Sequence, residues 1–316
     1  MEYICSDCPR KCSAYRSDDS PGGFCASPAL PRIARAAPHY GEEPCLSGTR
    51  GAGTIFFSGC NLRCVYCQNA EISRGLSGRR ITVPMLQKLM LQLRDRGVHC
   101  IDLVTPTHYA RTIASALDGL ELGIPVVWNS SGYECLETLR MLEGLVQIFL
   151  PDLKYLSPES GRRFSAAPNY GAVAAEAIME MVRQRGRPVF DGDGILQSGV
   201  LIRHLILPGA VEESRNVIDF VADHFLPGEV LFSLMSQYTP MPGAESVAPE
   251  LGRRVTDEEN AAVIHYMKVR EVTDGYWQET DSAGADEIPD FDGTGLDISE
   301  VFIDNKKIIH KINTLA

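Results

Sequence analysis

The sequence has no apolar run near the roughly 20 residues that a membrane-spanning helix needs, so no span is expected. Its opening segment, MEYICSDCPRKC, lacks an apolar h-region, and no secretory signal is expected either. Positive charge is also short. Thirty Lys and Arg face 41 Asp and Glu, a net charge of −11, which argues against non-specific nucleic-acid binding. Internal repeats and low-complexity tracts are missing too. The expectation is a soluble, cytoplasmic protein, and its 316 residues suffice for one α/β barrel or two ordinary domains.

What the chain does have is cysteine, ten of them. A reducing compartment disfavours structural disulfides. Cys5, Cys8, Cys12 and Cys25 form one cluster, and Cys60, Cys64 and Cys67 a second. Clustered thiols of this kind read first as metal ligands. Negative charge is just as uneven. Residues 271–300 hold ten acids and no Lys or Arg, so the rest of the chain is nearly neutral. That segment reads as a solvated, partly disordered tail, with IPDFDGTGL (288–296) apolar enough to dock on the body.

Residues 1–50 show little periodicity and read as a Cys-rich, metal-binding N-terminal extension. From residue 51 to 270, short apolar runs (TIFFS, CIDLV, PVVW, VQIFL, VLIRHLIL, EVLFSL) alternate with amphipathic helical patterns. Six strands alternating with helices predict parallel βαβ units. Six are too few to close an eight-stranded barrel, so the expected fold is α/β, a partial (β/α)6 barrel with its working groups after the strand C-termini. Residues 271–316 complete the chain as the acidic tail.

The segment GTIFFSGCNLRCVYCQN (53–69) carries the most chemistry. A β-rich run ends at Ser58-Gly59, and three cysteines follow as C-x3-C-x2-C. Three thiolates on one loop can hold three irons of a cubane and leave the fourth iron open to a chelating ligand. The alternative is a zinc knuckle, which needs a fourth Cys or His. His39 and Cys45 are the nearest candidates, at spacings unlike a zinc ribbon.

This loop resembles the signature of the radical S-adenosylmethionine (SAM) superfamily, with Tyr66 at its aromatic position near the adenine. More narrowly, residues 3–296 resemble a subgroup of pyruvate formate-lyase activating-enzyme-like iron–sulfur proteins. The matching stretches are CSDCPRKC, EEPCLSGTRGAGTIFFSGCNLRCVYCQN, LVTPTHY, NSSGYE, LPDLKY, RHLILPG and FDGTG. The resemblance implies a [4Fe-4S] cluster on Cys60, Cys64 and Cys67 and SAM chelated to its open iron. It also implies an electron from a flavodoxin- or ferredoxin-type reductant, and a 5′-deoxyadenosyl radical that activates a glycyl radical enzyme. Another peptide or small molecule as radical acceptor, or a non-catalytic zinc scaffold, are the alternatives.

The same resemblance places the SAM pocket. Activating enzymes carry Gly-Gly-Glu after the second strand, for the SAM amino group; here Thr105-Pro106-Thr107-His108 stands there and no carboxylate is present. Hydroxyls or carbonyls of Thr105 and Thr107 can accept from an ammonium, and His108 is either a helix cap or a ligand. Lys154 would pair with the SAM carboxylate, while Asn129, Ser130 and Asp152 would hold the ribose or a monovalent cation. In the strand around Arg203-His204, alternation turns one side chain inward and one outward; either is a contact to ribose or substrate, with Gln237 and Tyr238 similarly placed. Cys5, Cys8, Cys12 and Cys25 read C-x2-C-x3-C-x12-C, a set for Zn or an auxiliary cluster, which Cys45 could join. Cys100 reads as a small buried hydrophobe.

Overall fold

The computed structural model describes residues 2–75, 77–280 and 289–297. KKIIHKINTLA at the C-terminus and several acids of the expected tail (Asp281, Asp286, Glu287, Glu300) lie outside these residues. The strands in chain order are β1 (Tyr3–Ile4), β2 (Tyr15–Arg16), β3 (Arg32–His39), β4 (Ala52–Phe57), β5 (Arg79–Arg80) and β6 (Ile101–Val104). They continue with β7 (Val126–Ser130), β8 (Ile148–Pro151), β9 (Val189–Phe190), β10 (Leu196–Leu205), β11 (Leu231–Met235) and β12 (Gly275–Trp277). The α-helices are α1 (Pro44–Ser47), α2 (Ala70–Arg74), α3 (Val83–Asp95), α4 (Ala110–Leu117) and α5 (Leu136–Met141). Four more follow: α6 (Pro158–Ser165), α7 (Tyr170–Arg185), α8 (Val211–His224) and α9 (Asp257–Val269). Among the described residues no helix is long and apolar enough to cross a membrane.

The main sheet is mostly parallel. Strands β4, β6, β7, β8, β10, β11 and β12 pair in that order, each parallel to the next. Strand β3 adds antiparallel to β4, and β5 to β3. Every residue of β4, β6, β7 and β8 is buried, as parallel strands covered on both faces require. Register pairs Phe56 with Val104, Val104 with Asn129 and Ser130 with Pro151, and a bridge pairs Asp152 with Arg203. The C-terminal ends of neighbouring strands therefore meet at one rim, where the working groups stand.

Local signals account for several boundaries. Thr256 accepts from Glu259 N while Glu259 reaches back to the Thr256 N–H, a complete capping box at the start of α9. Ser157 accepts from Ser160 N to start α6, a helix the periodicity did not indicate. The six expected runs form β4, β6, β7, β8, β10 and β11; besides the two-residue strands β1, β2, β5 and β9, two longer strands fall where none was expected. One is β3, because Cys, Pro and Gly in residues 1–50 mask its run. The other is β12, which lies past residue 270 among acids.

The chain also returns to the sheet after the undescribed stretch. Phe291 packs edge-on against Phe56 at 5.4 Å, Ala36 N donates to Thr294 O at 3.0 Å, and Gly293 N to Ala34 O at 3.1 Å. Leu296 is buried. The residues of the FDGTGL stretch thus lie along β3, with Leu296 buried while Asp290, Asp292 and Asp297 stay exposed.

Candidate active site

The loop after β4 carries Cys60, Cys64 and Cys67, all partly buried and all lining one cleft of about 250 Å³ at the rim of strand ends. Tyr66, Thr105, Asn129, Ser130, Asp152, Lys154, Arg203 and Gln237 line it too. Strand alternation and parallel register, rather than sequence proximity, bring them together. Each sulfur has a neighbour: Leu62 N donates to Cys60 Sγ at 3.3 Å, Ser165 Oγ lies 2.9 Å from Cys64 Sγ, and Ser73 Oγ lies 3.4 Å from Cys67 Sγ. Burial pushes the Cys60 and Cys64 thiols up, and the nearby Lys154 ammonium pulls them part of the way back. Tyr66 is held edge-on by Phe164 and Tyr238.

A charged network forms the opposite wall. Asp152 takes Lys154 Nζ at 2.6 Å on one oxygen and Arg203 Nε at 3.1 Å on the other. Arg203 forks onward to Asn129 Oδ1 at 2.7 Å and Glu42 Oε2 at 3.2 Å. Asn129 in turn donates to Asp102 Oδ2 at 3.2 Å. Burial raises the Asp152 carboxyl, but Lys154 and Arg203 overcome it and hold Asp152 below its usual range. No cation contacts Asp102 among the described residues, and burial and Glu42 push its carboxyl well up against the pull of Asn129 and Arg203. Thr105 stands at φ +60° with its N–H on Asn129 O. A β-branched residue in that region is rare and marks a turn held by its surroundings.

A model of the radical SAM superfamily matches residues 54–221, which take in the three-cysteine loop and the strand ends up to Arg203. An uncharacterized protein of Methanocaldococcus jannaschii is 30% identical over 265 residues, 81% of this chain and 71% of that one. The chain belongs to the radical SAM superfamily. Among solved structures, Streptococcus suis SuiB bound to S-adenosylmethionine is similar at a TM-score of 0.50 and 15% identity, over 73% of this chain and 51% of SuiB. The chain thus spans about half the length of SuiB, and the likeness shows the fold alone. A domain of a pyruvate-formate lyase-activating enzyme from Bacteroides vulgatus aligns at a TM-score of 0.36 and 14% identity, over 62% of this chain and 91% of that one.

Membership of the radical SAM superfamily implies an iron–sulfur cluster and SAM. The donor set fits the cluster: three thiols on one loop, facing one cleft, with a backbone N–H and two hydroxyls at the sulfurs to stabilise thiolate charge. The cleft beside them offers a cation, carboxamide and hydroxyl groups, and an aromatic ring, which suits a zwitterionic nucleoside ligand.

Three expected cofactor contacts stand elsewhere. Thr107 is buried and donates to Glu134 Oε1, since the Thr105 turn faces only its first residue to the cleft. His108 is buried with Nε2 at 2.8 Å from Ser58 O, and burial lowers its pKa to about 3. It packs under the β4 loop as a neutral ring. His204 bridges Leu153 O and Ser214 Oγ, lowered by burial to about 4. Alternation along β10 turns it away from Arg203 and toward α8. Of the residues that follow β11, Gln237 reaches the cleft while Tyr238 is buried with its hydroxyl on Leu251 O.

Cys5, Cys8 and Cys25 are buried and Cys12 is exposed, away from the cleft lining. Cys45 packs instead with Leu46 and Cys100 in an apolar cluster. Sequence reasoning missed Glu42, Glu134 and Ser165. Glu134 lay in the quoted NSSGYE stretch, but nothing in one sequence links it to Thr107. Ser165 is in contact with Cys64 only through the placement of α6.

Proposed function

We propose that this radical SAM enzyme holds a [4Fe-4S] cluster on Cys60, Cys64 and Cys67, binds SAM in the adjoining cleft, and directs the radical to a protein glycine, as activating enzymes of glycyl radical enzymes do. The observation that carries this reading is the single cleft joining the three cysteines to Tyr66 and Lys154. With both bound, the cluster would supply one electron to the SAM sulfonium, leaving methionine and a 5′-deoxyadenosyl radical that would take a hydrogen atom from the acceptor.

The chain's residues have separable tasks. Lys154 presents its ammonium to the methionine carboxylate. Burial opposes that charge, but Asp152, and after it Cys64, outweigh burial and hold the Lys154 ammonium above its ordinary range. Thr105 offers neutral oxygens to the SAM ammonium, where related enzymes use a carboxylate. Tyr66 would pack against the adenine, and Asn129 and Ser130, which line the same cleft, would hold the ribose. The parallel strands serve as the wall of an open partial barrel, whose mouth admits a loop of a partner protein. A flavodoxin- or ferredoxin-type donor supplies the electron.

The test is 5′-deoxyadenosine formation from SAM and dithionite under anaerobic conditions. Native protein is expected to be brown and to form it. Replacing Cys60, Cys64 and Cys67 together by Ala should abolish it, and cleavage at the native rate by that variant would sink the assignment. Deuterium transfer from glycine-labelled partner protein into 5′-deoxyadenosine tests the acceptor. Label that stays in the partner while SAM is cleaved points to another peptide or small molecule.

A further inference from the structure

The two cysteine loops grip each other. Arg10, between Cys8 and Cys12, donates Nε to Asn61 O at 2.9 Å, beside Cys60. Its other nitrogens reach Ser165 O at 3.1 Å and Ala166 O at 2.5 Å, and Ser165 is the residue whose hydroxyl touches Cys64 Sγ. The grip is returned by Arg63, between Cys60 and Cys64, which donates to Phe24 O at 2.9 Å, beside Cys25. The Phe24 ring sits under both guanidiniums, 3.8 Å from Arg10 Cζ and 4.3 Å from Arg63 Cζ. Gly59, at φ +87°, lies so close that a Cβ there would stand 3.0 Å from Cys25 O.

The N-terminal loop is also tied to the body at Asp7, which takes Arg111 Nε at 2.7 Å on its carboxylate and Thr138 Oγ1 at 2.8 Å on its carbonyl, but it has little regular structure of its own. Strands β1 and β2 are two residues each, yet Cys5, Cys8 and Cys25 are buried and face one another closely enough to interact electrostatically. The Cys12 sulfur lies against Gly23, on the turn that carries Cys25. Lys11 and Ser13 flank Cys12, Ala26 follows Cys25, and all three adopt left-handed φ of 42–52°. L residues seldom accept such angles unless something fixes the turn.

Charge supplies the decisive argument. Arg16 is 1% exposed, and no carboxylate pairs with it among the described residues. Its Nη2 instead donates to Cys25 Sγ at 2.6 Å, Nη1 donates to His108 O, and buried Nε has no partner. A buried guanidinium needs a negative counterpart, and the groups that face it are the Cys25 and Cys5 thiols and the Tyr3 hydroxyl. Metal coordination deprotonates a thiol outright. As placed, no group of three or more His, Cys, Asp or Glu among the described residues could hold an ion, in either cysteine loop, so a bound metal would require the sulfurs to move together.

We propose that Cys5, Cys8, Cys12 and Cys25 bind one zinc ion as thiolates, and that this zinc-held loop positions the catalytic cysteine loop through Arg10, Phe24 and Arg63. The site is closed and structural, with Arg16 balancing the negative tetrathiolate.

Metal analysis of anaerobically purified Cys60→Ala/Cys64→Ala/Cys67→Ala protein tests the zinc site without any SAM chemistry. One zinc per chain and no iron is expected, lost when Cys8→Ala and Cys25→Ala are added. Because that variant could unfold, Co2+ exchange into the intact N-terminal loop gives a second measurement. It should show the thiolate charge-transfer and intense d–d bands of tetrahedral cobalt. Stoichiometric iron, or no bound metal and no cobalt spectrum, overturns the zinc site. For the clasp, Arg10→Ala in the otherwise native chain should keep one zinc while iron loading after reconstitution falls severalfold and the reduced-cluster EPR signal changes shape. Full iron loading with an unchanged EPR signal overturns the positioning role.

Discussion

Thr107 Oγ1 and Glu134 Oε1 lie 2.6 Å apart, buried behind the cleft that the three cysteines line. Trp128 Nε1 donates to the same carboxylate oxygen at 3.2 Å. The carboxylate that radical SAM activating enzymes carry on the loop after the second strand is thus missing from this loop, yet one approaches it from the next. Glu134 does not line the cleft. Burial raises its pKa from 4.5 to about 7, against the pull of these hydrogen bonds.

That shift fixes the sign of a pH effect. Between pH 4.5 and 7 the folded chain retains a proton on Glu134 that the unfolded chain has released. Stability from this group is therefore full below pH 4.5 and lost as pH rises through 7. Glu134→Gln should remove the loss and stabilise the protein by up to about 3 kcal/mol at pH 8, with little effect at pH 4.5, at 1.36 kcal/mol per unit. His108 and His204, both lowered, act in the opposite direction as pH falls below 6.5, so the comparison is variant against native at each pH. Urea titrations at the two pH values check it, and an equal shift at both would refute the raised carboxyl.

Thr107→Ala removes the closest donor to a buried carboxylate. It should destabilise by about 1–3 kcal/mol, with the larger effect at high pH, where Glu134 is ionised. SAM affinity should change less than stability does, since Thr107 faces away from the cleft.

Lys154→Ala tests the pocket itself. A hydrogen bond to a charged partner contributes about 1.5–3 kcal/mol, so SAM affinity should fall roughly 10- to 100-fold. Arg203 remains on Asp152, which keeps the wall charged and folded. Anaerobic calorimetry on reconstituted protein measures this; unchanged affinity would remove Lys154 from the carboxylate site and leave the cluster assignment standing.

Arg203→Leu leaves Asp152 and Glu42 without their shared cation in a buried site. The expected cost is about 3–5 kcal/mol, read as a lower urea midpoint. Arg203→Lys should recover only part of it, because one ammonium cannot fork to Asp152, Asn129 and Glu42 together. Full recovery by Lys would show that charge alone matters there.

Gly295→Ala addresses the returning C-terminal segment. Gly295 has φ +81°, and a Cβ there would overlap Ala36 O, which is backbone and cannot swing away. Limited proteolysis should cut near residues 289–297 faster in the variant, and Phe56 should lose its Phe291 contact. Cleavage at the native rate would mean that the segment is held by other contacts, such as Arg79 on Leu296 O.

Residue order by itself determined the α/β alternation, because buried parallel strands must be apolar runs and covering helices must be amphipathic. It also determined the three-cysteine loop, since C-x3-C-x2-C is a local spacing that survives any packing. The alternation at Arg203-His204 was likewise legible, with one residue in the cleft and one under α8. Only the tertiary structure decided that Thr107 turns from the cleft to Glu134, that Glu42 closes on Arg203, and that Arg10 grips the loop of Cys60. Those contacts join residues 27, 161 and 51 positions apart. Composition and periodicity report which side chains are buried, but not which buried group each will face, because that depends on the strand order and the paths of loops between them.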